Sequence, residues 1–114
     1  MSIEGKRASF NFGDGQGPVP AHHHPNGGGW VADSATVEKT AYVGNNAQVF
    51  GYAQVLDEAC IWDRAKVYDK AIIREKAEVC DELEVRGNAD IGGKVELHGS
   101  GIIYNFSCIC GKDS

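Results

Sequence analysis

From Val31 to Ile109 a branched or long aliphatic residue returns at every sixth position without an insertion: Val31, Val37, Val43, Val49, Val55, Ile61, Val67, Ile73, Val79, Val85, Ile91, Leu97, Ile103 and Ile109. Two residues before nearly every one stands a small side chain, from Ala35, Ala41 and Ala47 through Ala89, Gly101 and Ser107, with Leu83 and Val95 as larger exceptions. An α-helix cannot hold this pattern on one face, because six residues advance it by roughly 600° and the stripe smears around the cylinder. On extended backbone, positions two apart point the same way, so each small residue and its aliphatic partner share one side. The pairs between repeats, such as Asn45-Asn46, Gly51-Tyr52, Asp57-Glu58, Asp63-Arg64, Gly87-Asn88 and Gly99-Ser100, are rich in residues that turn a chain. A short strand and a corner, repeated, coil into a parallel β-helix.

Hexads such as Ala47-Gln48-Val49-Phe50-Gly51-Tyr52 and Ala65-Lys66-Val67-Tyr68-Asp69-Lys70 closely resemble the repeats of left-handed parallel β-helix proteins. That resemblance implies three hexads per triangular coil. It also implies left-handedness, which runs against the general right-handed crossover preference. The expected fold is all-β: a single-stranded left-handed parallel β-helix of about four coils over 30–110, preceded by a strand and capping loop over 1–29 and followed by a tail over 111–114. The lead-in Phe10-Asn11-Phe12-Gly13-Asp14-Gly15, with His24-Pro25-Asn26-Gly27-Gly28-Gly29-Trp30-Val31, resembles small hexapeptide-repeat proteins of bacteria, phages and prophages, most of which lack an assigned activity.

Many left-handed β-helix proteins are acyltransferases and others are zinc hydratases of carbon dioxide. The resemblance therefore brings an acyltransferase-like enzyme into consideration. Those enzymes hold substrate or metal between subunits of a trimer, and the acyltransferases often extrude a covering loop. Here the repeats run without a loop and His98 is the sole histidine of the coil, so only 1–29 could supply a lid.

Within that leading segment, Ala8, Phe10 and Phe12 alternate with Ser9 and Asn11, which predicts a short strand with one apolar face. The stretch from Gly13 to Pro20 reads as an irregular loop. Three consecutive histidines, His22, His23 and His24, carry metal potential by composition, but neighbours on extended backbone point to opposite sides. The plainer expectation is that this segment lies over the first coil and keeps its apolar end from water.

A chain of 114 residues with net charge −5 is one domain with an acidic surface, which argues against direct nucleic-acid binding and favours solubility or a basic partner. No apolar run reaches membrane-spanning length and no signal peptide follows Met1 to Lys6, so the expected location is cytoplasmic, with no membrane partner. Cys60, Cys80, Cys108 and Cys110 have neither the density of a disulfide scaffold nor the spacing of a zinc module, and read as free thiols. No cofactor is expected.

Positions 18 apart stack in the proposed coil. One face presents Phe50, Tyr68, Arg86 and Tyr104 in a column of exposed aromatics with an arginine among them, beside Lys66 and Glu84 as a surface ion pair. Aromatics and arginine are the residues that usually carry interface energy, so this column is the expected seam with another protein or a second copy. A further face carries Trp62, with Asp63, Asp81 and Glu82 at its corner as an acidic edge. Cys80 and His98 are neighbours there, as are Glu78 and Glu96, a set able in principle to hold zinc or activate a thiol. Yet a flat sheet excludes no water and offers no oxyanion site. The leading expectation is a non-catalytic interaction module. Its narrower form is a phage-type inhibitor of a host defence or nucleic-acid enzyme, and its rivals are the acyltransferase-like enzyme and a structural accessory of a larger assembly.

Overall fold

The structure is a computed structural model and describes residues 9–13, 15 and 17–104, with the backbone of 109–111. The elements in order are β1 (Ser9–Asn11), β2 (Pro18–His23), β3 (Trp30–Ala32), β4 (Thr36–Val37), β5 (Tyr42–Val43), β6 (Gln48–Val49), β7 (Gln54–Val55) and β8 (Cys60–Ile61). They continue as β9 (Lys66–Val67), β10 (Ile72–Ile73), β11 (Glu78–Val79), β12 (Glu82–Arg86), β13 (Asp90–Gly93), β14 (Glu96–Leu97), β15 (Ser100–Tyr104) and β16 (Ile109–Gly111). From β3 onward every third strand joins the same parallel sheet, and each residue pairs with the one 18 further on, as Gln48 with Lys66 and Val49 with Val67. Three sheets thereby wind a left-handed helix of triangular section and about four coils.

The core follows the sequence period. Val43, Val49, Val55, Ile61, Val67, Ile73, Val79, Val85 and Ile91 are fully buried, layered with Ala41, Ala53, Ala59, Ala65, Ala71, Ala77 and Ala89. Each alanine leaves room for the aliphatic of the next side of the triangle, which is why the two alternate by size. Packing weakens at both ends of the coil, where Val37 on one side and Val95, Leu97 and Ile103 on the other are only partly buried.

Corners are built by one device repeated. Gly51, Asp57, Asp63, Asp69, Glu75, Asp81, Gly87, Gly93 and Gly99, again six apart, all have positive φ. Glycine adopts this region freely, and aspartate tolerates it better than most side chains. The carboxylates then reach along the prism to the corner one coil later. Asp63 Oδ2 accepts from the Asp81 amide at 3.0 Å, Asp81 Oδ2 from Gly99 at 2.8 Å, Asp57 Oδ2 from Glu75 at 2.9 Å and Asp69 Oδ2 from Gly87 at 3.0 Å. The main-chain carbonyls at these corners accept too, from Ser34 Oγ at Gly51 and from Thr40 Oγ1 at Asp57.

The leading segment does more than cap. β1 and β2 form an antiparallel hairpin, and β2 pairs antiparallel with β3, so two strands are added to the edge of the first sheet. Pro18, Pro20 and the histidines His22 and His23, expected in a loop, therefore lie in a strand. Proline cannot donate, but the Pro20 carbonyl still accepts from the Asp33 amide. The chain after β2 then folds over the first coil as expected. Val43 N donates to Asn26 O and Gly29 N to Val43 O, while buried His24 donates from Nε2 to Ala41 O. A β-carbon at Gly27 would sit 2.1 Å from the Val43 carbonyl oxygen, so only glycine permits this approach.

Candidate functional site

The outer surface of the seven-stranded sheet carries the expected column, with one correction. Phe50 is 3% exposed, because Phe12 of the hairpin stacks on it with ring centroids 4.7 Å apart. The reason lies in Ala32, which occupies the column's place on β3 and leaves space that the phenylalanine fills. Phe10 likewise stacks on Trp30 at 4.8 Å. The alternation of Phe10 and Phe12 was a legible signal of an apolar face, but its target was not. The N-terminal half of this sheet is thus roofed by the chain itself.

Below Phe50 the column continues outward. Tyr68 stacks on Phe50 at 4.7 Å with an interplanar angle of 5°. Its hydroxyl donates to Glu84 Oε1 at 2.7 Å, so Glu84 serves the tyrosine where an ion pair with Lys66 was expected. Burial first, and then this bond to a carboxylate, push the Tyr68 phenol up to about 12. The guanidinium of Arg86 lies between two rings, its central carbon 6.0 Å from the Tyr68 centroid and 4.7 Å from that of Tyr104. Arg86 Nε stands 3.7 Å from Asp69 Oδ2. Tyr104 is 52% exposed, Ile102 beside it 58%, and Tyr52 at the adjoining corner 69%. Tyr52, Arg86 and Tyr104 line one groove with Asp69 and Lys70. Tyr52 was missed because it occupies a corner position, where the six-residue pattern carries no facing information.

The remaining expected site residues fall elsewhere. Trp62 sits on the sheet of β5, β8, β11 and β14, its ring tilted against that of Tyr42 with centroids 4.5 Å apart. Asp63, Asp81 and Glu82 line a second groove with Arg64. Two of these carboxylates are engaged in the corner ladder, and Glu82 faces Arg64 at 3.8 Å. On the same side Cys80 is buried, and that burial, reinforced by Glu78 and Asp63, pushes its thiol up to about 11. Such a thiol is protonated at neutral pH and is a poor nucleophile. The ring nitrogens of His98 stand 3.9 Å from Asp81 and 3.6 Å from Glu96. Cys60 is also held above its usual range by burial and then Glu78.

The three leading histidines diverge, as extended backbone requires. His22 Nδ1 donates to Asp33 Oδ1 at 2.7 Å, His23 Nδ1 to Gly28 O at 2.8 Å while packing on Trp30, and His24 points to Ala41. Among the described residues no three His, Cys, Asp or Glu side chains gather as metal ligands. Ala8, Phe106, Ser107 and Cys108, and the side chains of Ile109 and Cys110, lie outside the described residues.

Fold and surface together define a left-handed parallel β-helix of hexapeptide repeats, one end of whose largest sheet bears exposed aromatics around an arginine. No family model matches the chain, and comparison with curated proteins and with solved structures finds no match. No helix is long and apolar enough to cross a membrane.

Proposed function

We propose that this protein is a non-catalytic interaction module, a rigid prism that engages another protein through the C-terminal half of its seven-stranded sheet. One observation carries the proposal: Tyr52, Ile102 and Tyr104 remain exposed and contiguous with Arg86, while the other half of the same sheet is covered by Phe10 and Phe12. A clustered apolar patch on a small soluble protein marks a contact surface, and tyrosine with arginine is the composition of interface hot spots. The enzyme alternative is less favoured because the buried Cys80 thiol is held protonated and the His98 nitrogens face carboxylates.

A narrower form makes the partner a host defence or nucleic-acid enzyme of the kind phage proteins oppose, with the acidic edge in a basic groove. It rests on the resemblance of the lead-in and on the net charge of −5. Because Asp63 and Asp81 already accept main-chain amides, Glu82 and Trp62 would bear most of that contact.

The test places a photocrosslinking residue at Tyr52 or Tyr104, with Lys39 on a different corner as control. The expected result is a protein adduct specific to Tyr52 and Tyr104, whose purified partner loses about tenfold or more in affinity on Arg86→Ala. Adducts shared with Lys39, or none at all, would remove the proposal.

A further inference from the structure

The first sheet ends at β15, whose far edge has no neighbour among the described residues. The ladder pattern identifies which of its groups are left over. Throughout the coil an outward-facing residue donates its amide to the coil after it: Gln48 N to Ala65 O, Phe50 N to Val67 O, Tyr68 N to Val85 O and Glu82 N to Gly99 O. Inward-facing residues turn their backbone groups to the coil before. On β15, in register with Glu82, Glu84 and Arg86, the unpaired amides and carbonyls therefore belong to Ser100, Ile102 and Tyr104, the residues whose side chains face outward.

We propose that this edge is filled by a second copy of the same strand. This second-copy contact deepens the interaction reading above and rests on it. A two-fold axis through Ile102, perpendicular to the sheet, pairs Ile102 with its equivalent and Ser100 with Tyr104 of the other copy. In an antiparallel ladder, residues directly opposite exchange both bonds in alternate pairs, so this register satisfies every free group of the three residues. Opposed residues also share a face, which packs the exposed Ile102 against its equivalent and each Tyr104 ring beside Ser100. The same axis exchanges the other two sheets and brings the β14 end of one copy towards the β16 end of the other. It thereby closes the core where Leu97 and Ile103 are only partly buried.

Three features favour a second copy over another occupant. Ser100-Gly101-Ile102-Ile103-Tyr104 carries no charge, no proline and no bulge, which are the devices that keep edges apart. Its pairing partner must match a triangular end, and an identical end does so by symmetry. A two-fold contact uses the same edge of both copies and leaves no second copy of that edge free, so the assembly stops at two. A contact made by one short strand at the end of a narrow prism lies towards the lower limit for specific interfaces, so the dimer is concentration-dependent. Both copies are acidic while the joining strand is neutral, so added salt tightens it.

The experiment is sedimentation and native mass spectrometry of the full untagged chain at protein concentrations on the order of 1 to 100 μM. It is paired with amide hydrogen exchange by NMR. The expected result is a monomer–dimer equilibrium, tighter in salt, in which the amides of Ser100, Ile102 and Tyr104 gain protection with concentration while those of Gly101 and Ile103 do not change. Ile102→Lys and Ile102→Pro should each weaken the dimer about tenfold or more while leaving the β circular dichroism intact, since the lost Ile102 amide serves no bond within the coil. A monomer throughout, a trimer, an open-ended polymer, or a dimer indifferent to both substitutions overturns the inference. The exchange measurement on the unsubstituted chain decides the matter even if a variant fails to fold. A monomer that still gives a Tyr52- and Tyr104-specific adduct with a foreign protein loses the two-fold alone; a monomer giving none loses the interaction reading as well.

Discussion

Asp63 is the residue whose two readings, contact surface or corner support, a substitution series separates most sharply. Its φ is 56° and its Oδ2 accepts from the Asp81 amide one coil later. Asp63→Ala removes the acceptor and forces an alanine into the left-handed region. The strain costs about 1 kcal/mol and the lost bond, at an exposed corner, about 1 kcal/mol more, for a total near 2 kcal/mol. Asp63→Gly relieves the strain but loses the bond and adds freedom to the unfolded chain, so about 1 to 1.5 kcal/mol is expected. Asp63→Asn keeps a carbonyl acceptor on a residue that tolerates this φ, and should cost about 0.5 kcal/mol. Arg64→Ala, next door with a long exposed side chain, is the control and should stay within about 0.5 kcal/mol. Urea unfolding followed by circular dichroism reads the series, with the alanine midpoint lower by about 1 M at an ordinary slope for a chain of this size. Equal losses for Ala, Gly and Asn, or a neutral alanine, would refute the corner mechanism and return Asp63 to the surface as a free charge.

Phe12→Ala should cost about 3 kcal/mol, because it uncovers both its own ring and that of Phe50, and should raise the hydrogen exchange of β1 and β2 amides together. Alkaline unfolding should be biphasic in cause: the folded Tyr68 and Cys80 values are raised to about 12 and about 11, so their contributions are complete below the ordinary pKa of each and fade as pH climbs through the raised ones. Tyr68→Phe should flatten the stability loss above pH 10, and an unchanged profile counts against the Tyr68–Glu84 bond. Cys80 in the folded protein should react with iodoacetamide at neutral pH at less than about a hundredth of the rate of a free thiol, recovering full reactivity in denaturant.

The architecture was legible because its cause is one-dimensional. A strict period of six acts on every coil alike, so the placement of Val49 already fixes that of Val67 and Val85, and the core appears in order. Residues off that period were less legible. Phe50 reads as surface by its place in the column, and only the hairpin, antiparallel to everything after it, makes it interior; the small Ala32 was the available clue. The corner carboxylates were seen as turn formers, whereas their second role, bonding the amide 18 residues later, depends on a left-handed backbone angle that sequence shows only as a preference. Arg86 was placed among tyrosines by spacing alone, and the structure keeps it there because residues 18 apart must stack.

These observations divide the labour of the chain. Stability comes from groups that repeat: inward aliphatics, alanine layers and corner carboxylates that tie each coil to the next. Because each coil supplies its own set, outward positions are released from structural duty and can vary without loss of fold. The sequence uses that freedom unevenly. Over the first two coils the outward column is spent on Phe12, Phe50 and Tyr68, which close on one another. Over the last two it is left as half-buried Arg86 and exposed Tyr104, with exposed Ile102 beside them, on a sheet whose last strand has no further neighbour among the described residues. A repeat protein must shield both ends of its core to stay soluble, and here one end is shielded from within by a loop that only Gly27 allows. Among the described residues β15 carries no equivalent device and no charge, which is why the two-fold contact is proposed at the C-terminal end.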